Sequence, residues 1–277
     1  VGPSSARHRE KVSVGDISLS VEFSGEGAQS LVLLHGVTAN HAVWAPIVDE
    51  LEKEFHVMVV DQRGHGLSDR PKTGYTASDY AADVQALIET RAKGGKAFVV
   101  GHSLGSRNAI VAAAQSPQLV SGFVGIDFTP FIETEVFDSL EQRVNGGLRS
   151  FESLASVEKY LANRYPKIPR DAITRRARHG FVEEDGVFCP LADPSAMAQT
   201  VRGLRENLAP ALMSVAVPGL LVRGAESALV TEAAFDSTIA LRPDLEYARV
   251  AGADHYVPEE KPAEISQLVT DFVHRNL

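Results

Sequence analysis

The segment Gly101-His102-Ser103-Leu104-Gly105 sets a serine between two glycines. It follows the apolar run at 97–100 and opens a stretch of helical period at 104–114. A G-x-S-x-G turn between a strand and a helix lifts the serine hydroxyl above the sheet edge on strained backbone, and larger side chains in place of the glycines would collide there. The helix N-terminus offers free N–H groups and partial positive charge to a developing oxyanion. The chemistry is nucleophilic acyl transfer, and a serine needs a base for it. Of the nine histidines, His255 stands where a base fits: after the nucleophile, in a Gly-containing loop between the last strand and the last helix. His8, His41 and His274 read as surface residues, and His179 as a surface residue of the middle segment. His56 opens a strand away from the site, while His35, His65 and His102 read as structural groups in turns near it. Two backbone donors are expected for the oxyanion: the N–H of Leu104, next after the nucleophile, and that of Val37 in His35-Gly36-Val37-Thr38.

These groups need a sheet edge to stand on. Residues 11–16 and 17–23 alternate apolar and polar around Gly15-Asp16, which predicts a hairpin. Residues 30–35, 56–61, 97–102 and 122–127 are continuous apolar runs, the signature of parallel strands covered on both faces. Stretches of helical period at 43–54, 78–91 and 104–114 separate them. This order predicts an α/β fold with a right-handed, doubly wound, mostly parallel sheet. The alternation stops near Pro130 and resumes with an apolar run at 217–224, a helix from about 231, a strand at 245–250 and a helix at 262–277. Between 133 and 210 only helical stretches are read (156–163, 171–178, 194–207). The expected organisation is a core of 1–132 and 211–277 with a helical cap, 133–210, roofing the C-terminal edge of the sheet where open α/β sheets bind ligands.

The 277 residues fit one domain with an insertion. Lys+Arg 27 against Asp+Glu 36 gives a net charge of −9, which argues against nucleic acid or an anionic membrane as partner. No apolar run approaches the ~20 residues of a membrane span. The lone Cys189 forms no internal disulfide, and the first residues lack an apolar signal region, so a cytoplasmic location is expected. No metal-ligand spacing and no dinucleotide fingerprint is present, so no cofactor and no metal are expected. Nine of the 19 arginines lie in 133–210, but only two of the eight lysines. Arginine is the residue for planar carboxylate contacts, so the expected partner is a small anionic substrate. The oligomeric state is left open, a homodimer included.

The motifs at 35–44 (HGVTANHAVW), 61–71 (DQRGHGLSDRP), 101–105 (GHSLG) and 252–256 (GADHY) together resemble the capped α/β-hydrolases, from about residue 12 to the end. A serine nucleophile speaks against dehalogenase or epoxide hydrolase chemistry. In most of that family the acid follows the strand after the cap, three residues beyond a glycine. Here that position in Gly224-Ala225-Glu226-Ser227 holds Ser227, which carries no charge. Asp127, Glu226 and Asp254 are the candidates. Asp127 is preferred, because it ends an apolar strand on the edge that carries Ser103 and a buried carboxylate there needs a partner.

The longer pattern at 101–109 and 252–259 resembles the E-2-(acetamidomethylene)succinate hydrolases of vitamin B6 degradation. That resemblance implies hydrolysis of a dicarboxylate enamide to acetate, succinic semialdehyde, ammonia and carbon dioxide through an acetyl-enzyme. Arg143, Arg164 and Tyr165 are then the expected carboxylate contacts, with Arg176 behind them. Phe151, Phe181 and Trp44 are candidate pocket or core residues. The competing readings are a carbon–carbon bond hydrolase or carboxylesterase of the same fold, and a non-catalytic small-molecule receptor.

Overall fold

The computed structural model describes residues 6–147 and 149–277. The apolar runs form strands whose side chains are buried on both faces. β1 (His8–Ser13) and β2 (Ser18–Ser24) make the expected hairpin, followed by β3 (Ser30–Leu34), β4 (His56–Asp61), β5 (Ala97–His102) and β6 (Val120–Ile126). After an excursion come β9 (Gly219–Gly224) and β10 (Glu246–Val250). They form one eight-stranded sheet in the order β1-β2-β4-β3-β5-β6-β9-β10. The β1/β2 and β2/β4 pairs are antiparallel and the others parallel. One face packs on Ala77–Arg91 and Leu104–Gln115, the other on Ala45–Leu51 and Pro262–Arg275.

The strand order reverses between β3 and β5. The chain leaves β3 toward β4 on one side and later builds outward through β5, β6, β9 and β10 on the other. The loops after β3 and β5 therefore part at this point and leave a crevice above the sheet.

The segment 133–210 holds helices Thr134–Asn145, Leu154–Arg164, Arg170–Gly180 and Pro194–Gly203. Val157, Leu161, Ile168, Ala172, Ile173 and Ala177 give it a small core of its own. One expectation fails here. The segment also contains a hairpin, β7 (Phe181–Glu184) and β8 (Val187–Pro190). Its turn is Asp185-Gly186, with φ of 50° and 80°, the residue pair favoured where both central residues need positive φ. Among the described residues no helix is long and apolar enough to cross a membrane.

Candidate active site

Neighbouring strands deliver the site residues from consecutive loops. In the parallel register Leu34 pairs with Gly101, which sets the 36–38 loop beside Ser103. His102 pairs with Ile126, which sets Asp127 beside the serine turn. β9 and β10 then bring Ser227 and His255 to the same edge.

Ser103 has φ 54° and ψ −114°, a conformation that L-residues hold only where the surroundings enforce it. The glycines on either side explain how it is held. A Cβ on Gly101 would lie 1.9 Å from the Gly105 carbonyl oxygen, and one on Gly105 2.1 Å from that of Leu34. Ser103 Oγ lies 3.1 Å from His255 Nε2, and His255 Nδ1 lies 2.7 Å from Asp127 Oδ2. Asp127 is fully buried and receives two further hydrogen bonds, from Gly224 N–H at 2.9 Å and Ser227 Oγ–H at 2.6 Å. With Nδ1–H donating to the carboxylate, Nε2 is free to accept the serine proton. The other two acid candidates are committed elsewhere. Glu226 is exposed and pairs with Lys167; Asp254 accepts from the His255 and Ala228 amides and also meets Lys167.

Among the described residues, the amides of Val37 and Leu104 donate to no protein acceptor. Thr38 follows Val37 at φ 63° in a turn closed by the Ala39 N–H to Gly36 carbonyl bond at 3.2 Å. A β-branched residue there is strained, and no sequence pattern pointed to it. His102 Nε2 lies 2.7 Å from the His255 carbonyl oxygen and ties the serine turn to the histidine loop.

A small cavity opens over Ser103, with Val37, Leu140, Arg143, Arg164, Tyr165 and Arg176 in its wall. Arg164 donates to the Tyr165 and Tyr160 hydroxyls at 3.1 and 3.2 Å and to the Arg143 carbonyl at 2.5 Å. Burial would push the Tyr165 phenol up, but the charges of Arg176 and Arg164 outweigh it and hold the phenol below its ordinary range. Arg176, also in that wall, has an acidic protein partner. Its guanidinium is buried and gripped by both oxygens of Glu259, at 2.5–3.1 Å, and it stacks on Tyr165 and Tyr256. Glu259 thus engages Nε and Nη2 of Arg176, and Nη1 takes no part in that pair. Arg143 makes no ion pair with a described residue.

Phe181 lines an adjoining cavity. Trp44 is core, and Phe151 packs against Tyr160 and Phe181. His41 is not a free surface group: its backbone N–H and Nδ1 both bond Asp61 Oδ1. His35 and His65 are fully buried, as structural groups would be. No group of three or more His, Cys, Asp or Glu among the described residues is placed to hold a metal.

A family model described as alpha/beta hydrolase fold matches residues 29–167. The chain belongs to the alpha/beta hydrolase fold family. This alpha/beta hydrolase is 52% identical over 263 residues to the 2-(acetamidomethylene)succinate hydrolase of Mesorhizobium japonicum, covering 95% of this chain and 94% of that one. It superposes on a crystal structure of E-2-(acetamidomethylene)succinate hydrolase with TM-score 0.93 at 50% identity, covering 97% and 100% of the two chains. It is 27% identical to the pimeloyl-(acyl-carrier protein) methyl ester esterase of Xanthomonas oryzae, over 92% and 98%. The likeness read from the motifs of this alpha/beta hydrolase is therefore borne out.

Proposed function

We propose that this protein hydrolyses the amide of E-2-(acetamidomethylene)succinate, with Ser103, His255 and Asp127 as its catalytic triad. The observation that carries the reading is the unbroken hydrogen-bonded chain from Ser103 Oγ to the buried Asp127 carboxylate, beneath a cavity walled by Arg143 and Arg164. The similarity to 2-(acetamidomethylene)succinate hydrolase along nearly the whole chain supports the substrate.

Ser103 Oγ attacks the acetyl carbonyl carbon as its proton passes to His255 Nε2. The carbonyl oxygen takes up negative charge facing the amides of Val37 and Leu104, each typically worth ~10²–10³ in turnover. Collapse breaks the C–N bond, and His255 returns the proton to the departing nitrogen. Water, deprotonated by His255, then attacks the acetyl-enzyme, releases acetate and restores Ser103. The freed enamine takes up a second water and loses carbon dioxide and ammonia to give succinic semialdehyde. Asp127 holds the imidazole in the required tautomer and stabilises the imidazolium. Arg143 and Arg164, with the Tyr165 hydroxyl, hold the two carboxylates; Arg pairs with carboxylates through two parallel hydrogen bonds.

The test is acetate release from E-2-(acetamidomethylene)succinate against its dimethyl ester and 4-nitrophenyl acetate. A preference for the dicarboxylate of at least a hundredfold in kcat/KM is expected. Equal rates with the neutral ester would make the protein a general esterase.

A further inference from the structure

We infer that Gln62 and Asn108 are positioning residues for the oxyanion hole: a buried chain of hydrogen bonds through their two amides holds the peptide group that carries the Val37 N–H. The inference rests on the reading of Ser103 as nucleophile and of the Val37 N–H as an oxyanion donor, and it adds what aims that donor.

The chain begins at Arg107 on the helix Leu104–Gln115, and Arg107, Asn108, Gln62 and His35 are all buried. Arg107 Nε donates to Asn108 Oδ1 at 3.0 Å. Asn108 Nδ2 donates to Gln62 Oε1 at 2.6 Å, and Gln62 Nε2 donates to the His35 carbonyl at 2.7 Å. Each bond fixes the next. A donor on Asn108 Oδ1 leaves its NH₂ for Gln62, and a donor on Gln62 Oε1 leaves the Gln62 NH₂ for His35. The Gln62 backbone N–H meets His35 Nε2 at 3.1 Å, so Nε2 is the acceptor and Nδ1 carries the proton. His35 Nδ1 lies 2.7 Å from the Gly36 carbonyl oxygen.

That last bond reaches the hole. The Gly36 carbonyl and the Val37 N–H belong to one planar peptide group. Among the described residues no peptide bond is cis, so the two point in opposite directions. The carbonyl receives the His35 Nδ1–H and, at 3.2 Å, the Ala39 N–H. Holding it there directs the Val37 N–H to the other side. The nucleophile is close by: a Cβ on Gly36 would lie 3.3 Å from Ser103 Cβ, and Val37 is in the wall of the Ser103 cavity.

Asn108→Asp separates aiming from stability. A carboxylate there gives the buried Arg107 an anionic partner, where Nη1 and Nη2 have no acceptor among the described residues, so the urea midpoint should not fall. It offers no donor to Gln62 and draws the Gln62 NH₂ away from the His35 carbonyl. A whole oxyanion donor is typically worth ~10²–10³ in turnover, so a misaimed one is expected to lower kcat roughly 10–100-fold, with KM little changed. Gln62→Met, which lacks the amide, should do the same.

Val37→Pro deletes the N–H itself, at the second position of a turn whose third residue, Thr38, has positive φ, a position that favours proline. On the Val37→Pro background, Asn108→Asp and Gln62→Met should each cost no more than about threefold further, because residues acting through one group are not additive. Equal losses with and without Val37→Pro overturn the inference, as does wild-type kcat in both single variants. Wild-type kcat in Val37→Pro strikes the donor reading itself, and the inference with it. Acetate release from E-2-(acetamidomethylene)succinate reads these variants. Should that enamide not be cleaved, the proposed substrate fails, and 4-nitrophenyl acetate reads the same hole with the same outcomes.

Discussion

Ser227 donates its hydroxyl to Asp127 Oδ2 at 2.6 Å, the same oxygen that receives the His255 Nδ1–H at 2.7 Å. The loop position where the acid stands in most of the family thus holds a donor to an acid one strand over. Asp127→Asn is expected to lower kcat about 10⁴-fold, since the amide no longer enforces the required imidazole tautomer. Ser227→Ala removes one hydrogen bond to a charged acceptor, worth about 1.5–3 kcal/mol, and should lower kcat about tenfold or more. Glu226→Gln, at the surface beside Lys167, should stay within twofold of wild type. Steady-state acetate release on the three variants checks the order.

The carboxylate contacts separate from the catalytic chain by substrate. Arg164→Ala and Arg143→Ala should each lower kcat/KM for the dicarboxylate by roughly 10–100-fold, the worth of a charge-assisted hydrogen bond. On 4-nitrophenyl acetate the same variants should change little. Parallel losses on both substrates would show that these arginines hold the cap together and do not read the substrate.

Arg176 and Glu259 join the helix Arg170–Gly180 to the turn that follows His255, and both are buried. Breaking such a pair strands a charge and typically costs about 3–5 kcal/mol, whereas replacing both partners with apolar residues is often neutral. Glu259→Gln should therefore lower the urea midpoint sharply, and Arg176→Met with Glu259→Leu should recover most of it. A single variant as stable as wild type would contradict the reading.

Acid should loosen the fold through the buried histidines. His35 donates Nδ1–H to the Gly36 carbonyl and accepts the Gln62 N–H at Nε2. Burial is the largest cause of its descent from 6.5 to about 4, and burial likewise takes His65 to about 3. Below about pH 6.5 the unfolded chain gains these protons and the folded chain does not. Stability is thus full above that pH and falls toward pH 4, by about 1.4 kcal/mol per unit for each histidine. Urea unfolding between pH 7.5 and 5 should show this slope, and His35→Gln should reduce it by about one proton.

Much of the site was legible because its chemistry is written in short segments. The glycines around Ser103 and the histidine loop announce themselves locally, and Asp127 stood out as a carboxylate ending an apolar strand. The Arg176–Glu259 pair was not legible: its partners lie 83 residues apart, and nothing in either segment names the other. The β7–β8 hairpin was missed because its four-residue strands bury no residue fully and carry little apolar alternation, though Asp185-Gly186 was a usable turn signal. The Thr38 conformation was missed because residue type argues against positive φ.

The most direct test of acyl transfer through Ser103 is acetate release from E-2-(acetamidomethylene)succinate by wild type and by Ser103→Ala of matched fold. Loss of at least 10⁴-fold in kcat is expected, in keeping with removal of a triad nucleophile. A Ser103→Ala protein that still releases acetate within tenfold of wild type would contradict it.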